Sequence, residues 1–110
     1  MSDVDAIIAK WRRSGQDARI GDVEKVIKAK IAPRAHVQWD KKSTSHVINM
    51  SHPCFREVSA FKGRDNFNVV LKEGRRVTRF YFGDLLDAID ALDDYERKQE
   101  AKERNRKEGR

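Results

Sequence analysis

The sequence contains one cysteine, two prolines and no long apolar run. The single cysteine, Cys54, excludes an intramolecular disulfide and favours a reducing compartment. No segment approaches the ~18 consecutive apolar residues of a membrane-spanning helix. The N-terminus carries Asp3 and Asp5 without an apolar stretch, so no signal peptide is predicted. We therefore expect a cytoplasmic protein that has no membrane partner.

Residues that bind metals are too few and too unevenly spaced to predict a site. Cys54, His46 and His52 supply at most three ligands, which disfavours a structural metal. Three aspartates near the C-terminus share one helical face: Asp87, Asp90 and Asp94. No liganding loop accompanies them, so this face is either solvated or bound by a basic partner segment. The sequence also lacks a glycine-rich phosphate loop, and neither a metal nor a cofactor is expected.

Charge is abundant. Charged residues make up 38% of the chain, as do hydrophobic residues, and the net charge is +6. The hydrophobic share supports one small core of about 70 to 80 residues with solvated ends. The positive excess is typical of proteins that bind a polyanion such as nucleic acid, although a merely soluble basic protein has the same composition.

Hydrophobic periodicity predicts the secondary structure. A helix is expected over 3–13 and a second over 20–31, where Pro33 ends it. Alternation or β-rich composition predicts five strands, at 35–39, 45–50, 56–62, 66–72 and 75–82. Glu73-Gly74 between the last two indicates a hairpin. A final helix is expected from Asp84.

These elements predict an α+β fold, with an antiparallel sheet of four to five strands packed on helices and a charged C-terminal helical tail. We divide the chain into an N-terminal helix (1–19), a single core domain (20–95) and a tail (96–110). The tail either extends as a solvated helix through Glu–Lys and Glu–Arg pairs or is disordered.

His46 is the candidate catalytic residue. It lies on the predicted strand 45–50, shortly after Lys41 and Lys42. RNA cleavage by 2′-OH attack needs a proton acceptor beside that hydroxyl and cations beside the phosphate. The alternative is that His46 packs with Ile48 and Met50, which share its strand face. His52 is six residues away, about 20 Å along a straight strand, and reaches the same site only if the strand bends.

Five cations are predicted to bind nucleic acid: Lys41, Lys42, Arg75, Arg76 and Arg79. The three arginines are interleaved with Thr78, Phe80 and Tyr81. Cations between aromatic rings can hold phosphates and stack on bases. The alternative is that Phe80 and Phe82 face the core while the arginines are solvated on the opposite face.

The order helix, strand, strand with Ser45-His46, further strand, helix resembles the HicA-type toxins of bacterial toxin–antitoxin pairs. Ser45-His46 and His52-Pro53 look like that family's motif, and Arg75-Arg76-Val77-Thr78 before the last helix looks like its later strand. The resemblance covers about residues 22 to 92. It implies a fold similar to the double-stranded RNA-binding domain, cleavage of messenger RNA, and His46 as the catalytic residue. Thr44 stands where the family has glycine, and the segment 55–66 is additional.

Two functions remain open from the sequence. One is a nucleic-acid-binding protein that cleaves RNA with His46, as a toxin-like domain. The other is a non-enzymatic binding or regulatory module for RNA, DNA or an acidic protein, which includes a phage or plasmid accessory protein that blocks a host factor. Every basic feature serves binding in either case.

Overall fold

The computed structural model describes residues 3–14, 17–41, 45–72 and 74–108. In chain order they form α1 (Asp3–Ser14), β1 (Asp17–Ala18), α2 (Ile20–Val26), β2 (His36–Lys41), β3 (Ser45–Ser51), β4 (Asn66–Lys72), β5 (Val77–Thr78) and α3 (Arg79–Glu108). The predicted α+β class is confirmed. In place of one sheet of four to five strands, this part of the chain has two antiparallel sheets, β2-β3-β4 and β1-β5.

Both N-terminal helices follow the predicted periodicity. In α1, Ile8 and Trp11 are buried, while acidic residues in the first turn and arginines in the last suit the helix dipole. α2 continues directly into one π-helical segment, Ile27–Ile31, where the Ile27 carbonyl accepts a hydrogen bond of 2.8 Å from the N–H five residues later. Pro33 follows the end of this helix, as predicted.

The three-stranded sheet keeps an unbroken register along its length. β2 pairs with β3 from His36 to Lys41, and β3 pairs with β4 from Ser45 to Ser51. Alternation gives one face the side chains of Val37, Trp39, Lys41, His46, Ile48, Met50, Phe67, Val69 and Leu71. This face joins the hydrophobic core with the helices. The opposite face is largely polar and carries the cross-strand row Gln38, Asn49, Asn68.

The predicted strand at 56–62 is wrong. Two short 3₁₀ helices take its place, Pro53–Glu57 and Ser59–Phe61. Phe55, Val58 and Phe61 recur every three residues, which is the period of a 3₁₀ helix and not that of a strand. Phe55 and Phe61 are buried, and the Phe61 ring stacks on Phe67 at a centroid distance of 4.5 Å. Burial of these rings therefore decides the conformation of the segment.

The predicted hairpin between 66–72 and 75–82 is also wrong. After the turn at Gly74 only Val77–Thr78 is a strand, and it pairs with Asp17–Ala18 instead of β4. The last helix begins at Arg79 rather than near Asp84. Its buried side chains follow the spacing i, i+3, i+4, i+7 from the first of them: Phe82, Leu85, Leu86 and Ile89. The helical pattern therefore starts one turn before the expected position.

The two halves of α3 have different surroundings. The first half buries its apolar side chains down to Leu92, and its Phe82 ring lies 5.3 Å from the Trp11 ring, centroid to centroid. From Glu96 to Asn105 every side chain is exposed. The helical alternative for the charged tail is thus observed as far as Glu108. Among the described residues, no helix is both long enough and apolar enough to cross a membrane.

Candidate nucleic-acid interface

The register of the sheet brings several predicted cations to one end, which we call the cationic end and define by Lys41, Lys72, Arg75 and Arg76. Lys41 is the cross-strand neighbour of His46, and Ser45 is that of Lys72. A tight turn follows β4, in which the Arg75 N–H donates to the Lys72 carbonyl at 3.0 Å. This turn keeps Arg75 close to the end of the sheet.

A groove of about 240 Å³ lies at the cationic end, beside the outer face of β4. Its lining combines cations, a hydroxyl, an aromatic ring and two valines: Val70, Lys72, Arg75, Arg76, Val77, Thr78 and Tyr81. Such a lining suits an anion that also carries an apolar or planar group.

The cations of this groove differ in their partners. Arg76 Nε lies 2.8 Å from Asp17 Oδ1, so this arginine is held between β5 and β1. Lys72 and Arg75 are exposed, and no carboxylate of the described residues pairs with either. Two cations of the groove are therefore available to an external anion.

The structure shows which of the predicted site residues lie near one another. It brings Lys41, Arg75 and Arg76 to the same end of the sheet as His46. Lys42 lies outside the described residues, as does the side chain of Arg79, whose backbone begins α3. Lys72 was missed by the sequence reasoning, although its position immediately before Glu73-Gly74 was a usable signal. A cation that ends a strand next to a turn lies near the cations that follow the turn.

His46 lies on the core-facing side of β3, at the open end of that face. Its neighbours across the sheet are the exposed Lys41 on one side and the buried Leu71 on the other. The ring is half-buried, and no described residue makes a hydrogen bond or an ion pair with it. His46 therefore shares the face of Ile48 and Met50 and also borders a cation, so features of both sequence hypotheses are present.

His52 does not share this site. Because β3 has no bulge, the separation of six positions between the two histidines spans about 20 Å. The His52 Nδ1 accepts a hydrogen bond of 3.0 Å from the Cys54 N–H, and its ring packs edge-on against Tyr95 at 4.7 Å. Burial lowers the pKa of His52. These contacts give His52 a structural role, which is to cap the first 3₁₀ helix.

Several acidic residues of α3, among them Asp90, Asp93 and Asp94, are paired within the chain. Arg12 binds Asp90 through both terminal nitrogens, at 2.8 and 3.2 Å, and Arg34 Nη1 lies 2.6 Å from Asp93 Oδ1. Asp94 is bound by Lys98 at 3.1 Å. Arginines of the same chain therefore bind part of this acidic surface, while Asp90 and Asp93 stay more than half exposed. Among the described residues no group of acidic, histidine or cysteine side chains has a metal-binding arrangement.

No family model, no curated protein and no solved structure matches this chain. The resemblance to HicA-type toxins therefore stays a prediction from the residues that suggested it.

Proposed function

We propose that this protein is a nucleic-acid-binding module and that the cationic end is its contact surface. One observation carries the proposal: Lys72 and Arg75 border a 240 Å³ groove and have no carboxylate partner among the described residues. On nucleic acids, exposed lysine and arginine side chains bind mostly to the phosphates. Neutralisation of the phosphate charge supplies much of the binding affinity.

The groove favours nucleic acid over an acidic protein partner because it also contains Tyr81 and Thr78. A tyrosine ring can stack on a base and a threonine hydroxyl can bind a sugar or phosphate oxygen, whereas a carboxylate-rich peptide needs neither.

RNA is the target that we favour. The antiparallel sheet with strand order β2-β3-β4 follows α2 in the chain and precedes α3, with only the two-residue β5 between β4 and α3. This is the order of elements on which the resemblance to HicA-type toxins rests, and that resemblance implies an RNA substrate. Contacts to the 2′-hydroxyl would distinguish RNA from DNA at such a site.

The direct test is binding to fluorescently labelled RNA and DNA duplexes and single strands, measured by anisotropy over a range of salt concentrations. For the variant Lys72→Gln/Arg75→Gln we expect weaker binding and a slope of log K against log salt that is smaller by about two, one per lost phosphate contact. The control Lys102→Gln/Arg104→Gln removes equal charge from the exposed end of α3. Equal losses in both variants, or no binding by the wild type, would contradict the proposal.

A second function, cleavage of RNA by His46, is favoured by its direct cross-strand pairing with Lys41. In this reaction the imidazole takes the proton of a 2′-hydroxyl while that oxygen attacks the adjacent phosphorus, and the 5′-oxygen leaves with the bonding electrons and takes a proton from water. The lysine would stabilise the added negative charge on the phosphate.

Cleavage is tested by incubating the protein with end-labelled RNA and comparing wild type with His46→Ala and His46→Gln. If His46 is the base, both variants lose cleavage, by about 10²-fold or more, and retain binding. Intact RNA after incubation with the wild type removes the catalytic hypothesis and leaves the binding proposal standing.

A further inference from the structure

The edge of the sheet opposite the groove consists of β2, and its exposure is unusual for a strand of this sheet. β2 is a terminal strand in the order β2-β3-β4, so one of its edges has no strand partner in the described part of the chain. Five of its six residues are exposed, and only Val37 is half-buried. β4, at the other edge, buries three residues and is bordered by the groove segment.

β2 lacks two of the features that protect an edge strand from pairing with another chain, and its charged side chains, Asp40 and Lys41, lie together at one end. It contains no proline, and its register with β3 has no bulge over six residues. It also exposes Trp39, with 39% of its surface accessible, which is one of two exposed large hydrophobic side chains among the described residues. Lys28 Nζ, 5.6 Å from the ring centroid, covers this ring only in part.

We propose that β2 pairs with β2 of a second copy of this chain, antiparallel and centred on Gln38. The two three-stranded sheets would then join as one six-stranded sheet across a two-fold axis. This inference is independent of the proposed function, because it uses none of the residues of the cationic end as a pairing contact.

The sequence of β2 is complementary to itself in this register. Gln38 meets Gln38 of the second copy, Val37 meets Trp39, and His36 meets Asp40. The symmetry provides the last two pairs twice. The Val37–Trp39 pairs cover the exposed indole with an apolar side chain, and an imidazole N–H can donate to the Asp40 carboxylate.

The neighbouring registers are poorer. Centring on Trp39 pairs the two indoles with each other, but it places Val37 opposite the charged Lys41 and Gln38 opposite Asp40, so the imidazole–carboxylate pairs are lost. Centring on Val37 leaves Asp40 beyond the paired region and without the imidazole. The register centred on Gln38 is the one of the three that gives favourable side-chain pairs on both faces of β2. A second copy of the chain is therefore the partner that fits this edge.

The charge pair is tested by sedimentation equilibrium up to the highest soluble concentration. His36→Glu places a new carboxylate opposite Asp40 of the second copy, and the two-fold axis repeats this contact. The repulsion at both contacts should raise the dissociation constant roughly tenfold. In His36→Glu/Asp40→Lys the charges are opposite again, and dimerisation should return. Asn68→Glu, on the outer face of β4, is the matched control and should leave the dimer unchanged.

The register is tested by cysteine cross-linking on a Cys54→Ser background. Gln38→Cys should form an intermolecular disulfide under mild oxidation, because the two-fold axis brings these residues face to face within bonding range. His36→Cys should not, because the two copies of residue 36 lie four positions apart along the pairing. A wild-type monomer at all concentrations would overturn the proposal. It would also be overturned if His36→Glu left the dissociation constant of the dimer unchanged, or if the disulfide formed in His36→Cys and not in Gln38→Cys.

Discussion

The cationic end and the acidic face of α3 are both dense in charge, but the fold treats them differently. On α3, Asp90 and Asp93 are bound by Arg12 and Arg34, arginines that are distant in sequence. At the cationic end, Lys72 and Arg75 have no such partner among the described residues. The comparison separates charges that hold the helices together from charges that are available to another molecule.

Charge density alone therefore does not identify a binding surface. Arg34 illustrates this, because its side chain is only 17% exposed and also donates from Nε to the Lys30 carbonyl at 2.8 Å. Arg75 is a residue of the same type with its side chain in water. The roles assigned to these two arginines predict opposite responses to substitution, in stability for one and in binding for the other.

Arg34→Ala should have the largest effect on stability. It removes a charge-assisted hydrogen bond to Asp93 and leaves that carboxylate beside other acidic residues, so the free energy of unfolding should fall by about 2 kcal/mol. Urea denaturation measures this change. RNA affinity of the folded variant should stay within about twofold of the wild type, and a large loss of affinity would place Arg34 in the binding surface instead.

Arg12→Gln should have a smaller effect in the same direction. The pair with Asp90 is bidentate, and this hydrogen bond is the main cause that raises the Arg12 pKa, but the arginine is 45% exposed. Exposed pairs of this kind contribute less than about 1 kcal/mol, and salt weakens them. The difference in unfolding free energy between wild type and variant should shrink in high salt, and a cost as large as that of Arg34→Ala would contradict the ranking.

Asp84→Asn should stabilise the protein slightly at neutral pH. Burial, with a smaller contribution from Asp87, raises the Asp84 pKa. The folded state therefore holds this proton more tightly than the unfolded state, and stability is lost as pH rises from the ordinary aspartate range through the raised pKa. The variant, which cannot ionise, should gain up to about 0.5 kcal/mol at pH 7. The gain should vanish below pH ~3.9, where both states of the wild type are protonated; a gain that persists there has another cause.

Lys72→Gln/Arg75→Gln should have the smallest effect on stability. Neither side chain pairs with a described carboxylate, so the free energy of unfolding should change by less than about 0.5 kcal/mol. Thermal or urea unfolding measures it, alongside the anisotropy titration. Destabilisation comparable to that of Arg34→Ala would mean that the cationic end is a structural feature, and the comparison between the two regions would fail.

Much of the fold was predictable because it depends on local periodicity. The apolar spacing was sufficient to predict α1 and α2, and the alternation was sufficient to predict β2, β3 and β4. The predicted strand at 56–62 is wrong because the apolar side chains of this region recur every three residues, as in a 3₁₀ helix, and not every two. β5 was assigned to the wrong partner because Val77–Thr78 pairs with Asp17–Ala18 across about 60 residues, and a two-residue strand carries no pattern that identifies its partner.

The candidate site was predictable only in part, for a related reason. Arg75 and Arg76 were identified because cations adjacent in sequence stay adjacent in space. The pairing of Arg12 with Asp90 joins residues 78 positions apart, and no local pattern reveals that the acidic face is already occupied. The half-buried position of His46 likewise depends on where the helices pack against the sheet.

The central claim is that the cationic end, and not the acidic face of α3, contacts nucleic acid. Amide chemical-shift mapping of ¹⁵N-labelled protein during titration with an RNA duplex at physiological salt tests it most directly. We predict that the perturbed amides cluster at Lys41, His46, Lys72 and the segment 74–78, while those of residues 84–94 stay in place. Perturbations centred on 84–94, or none at saturating RNA, would contradict the claim.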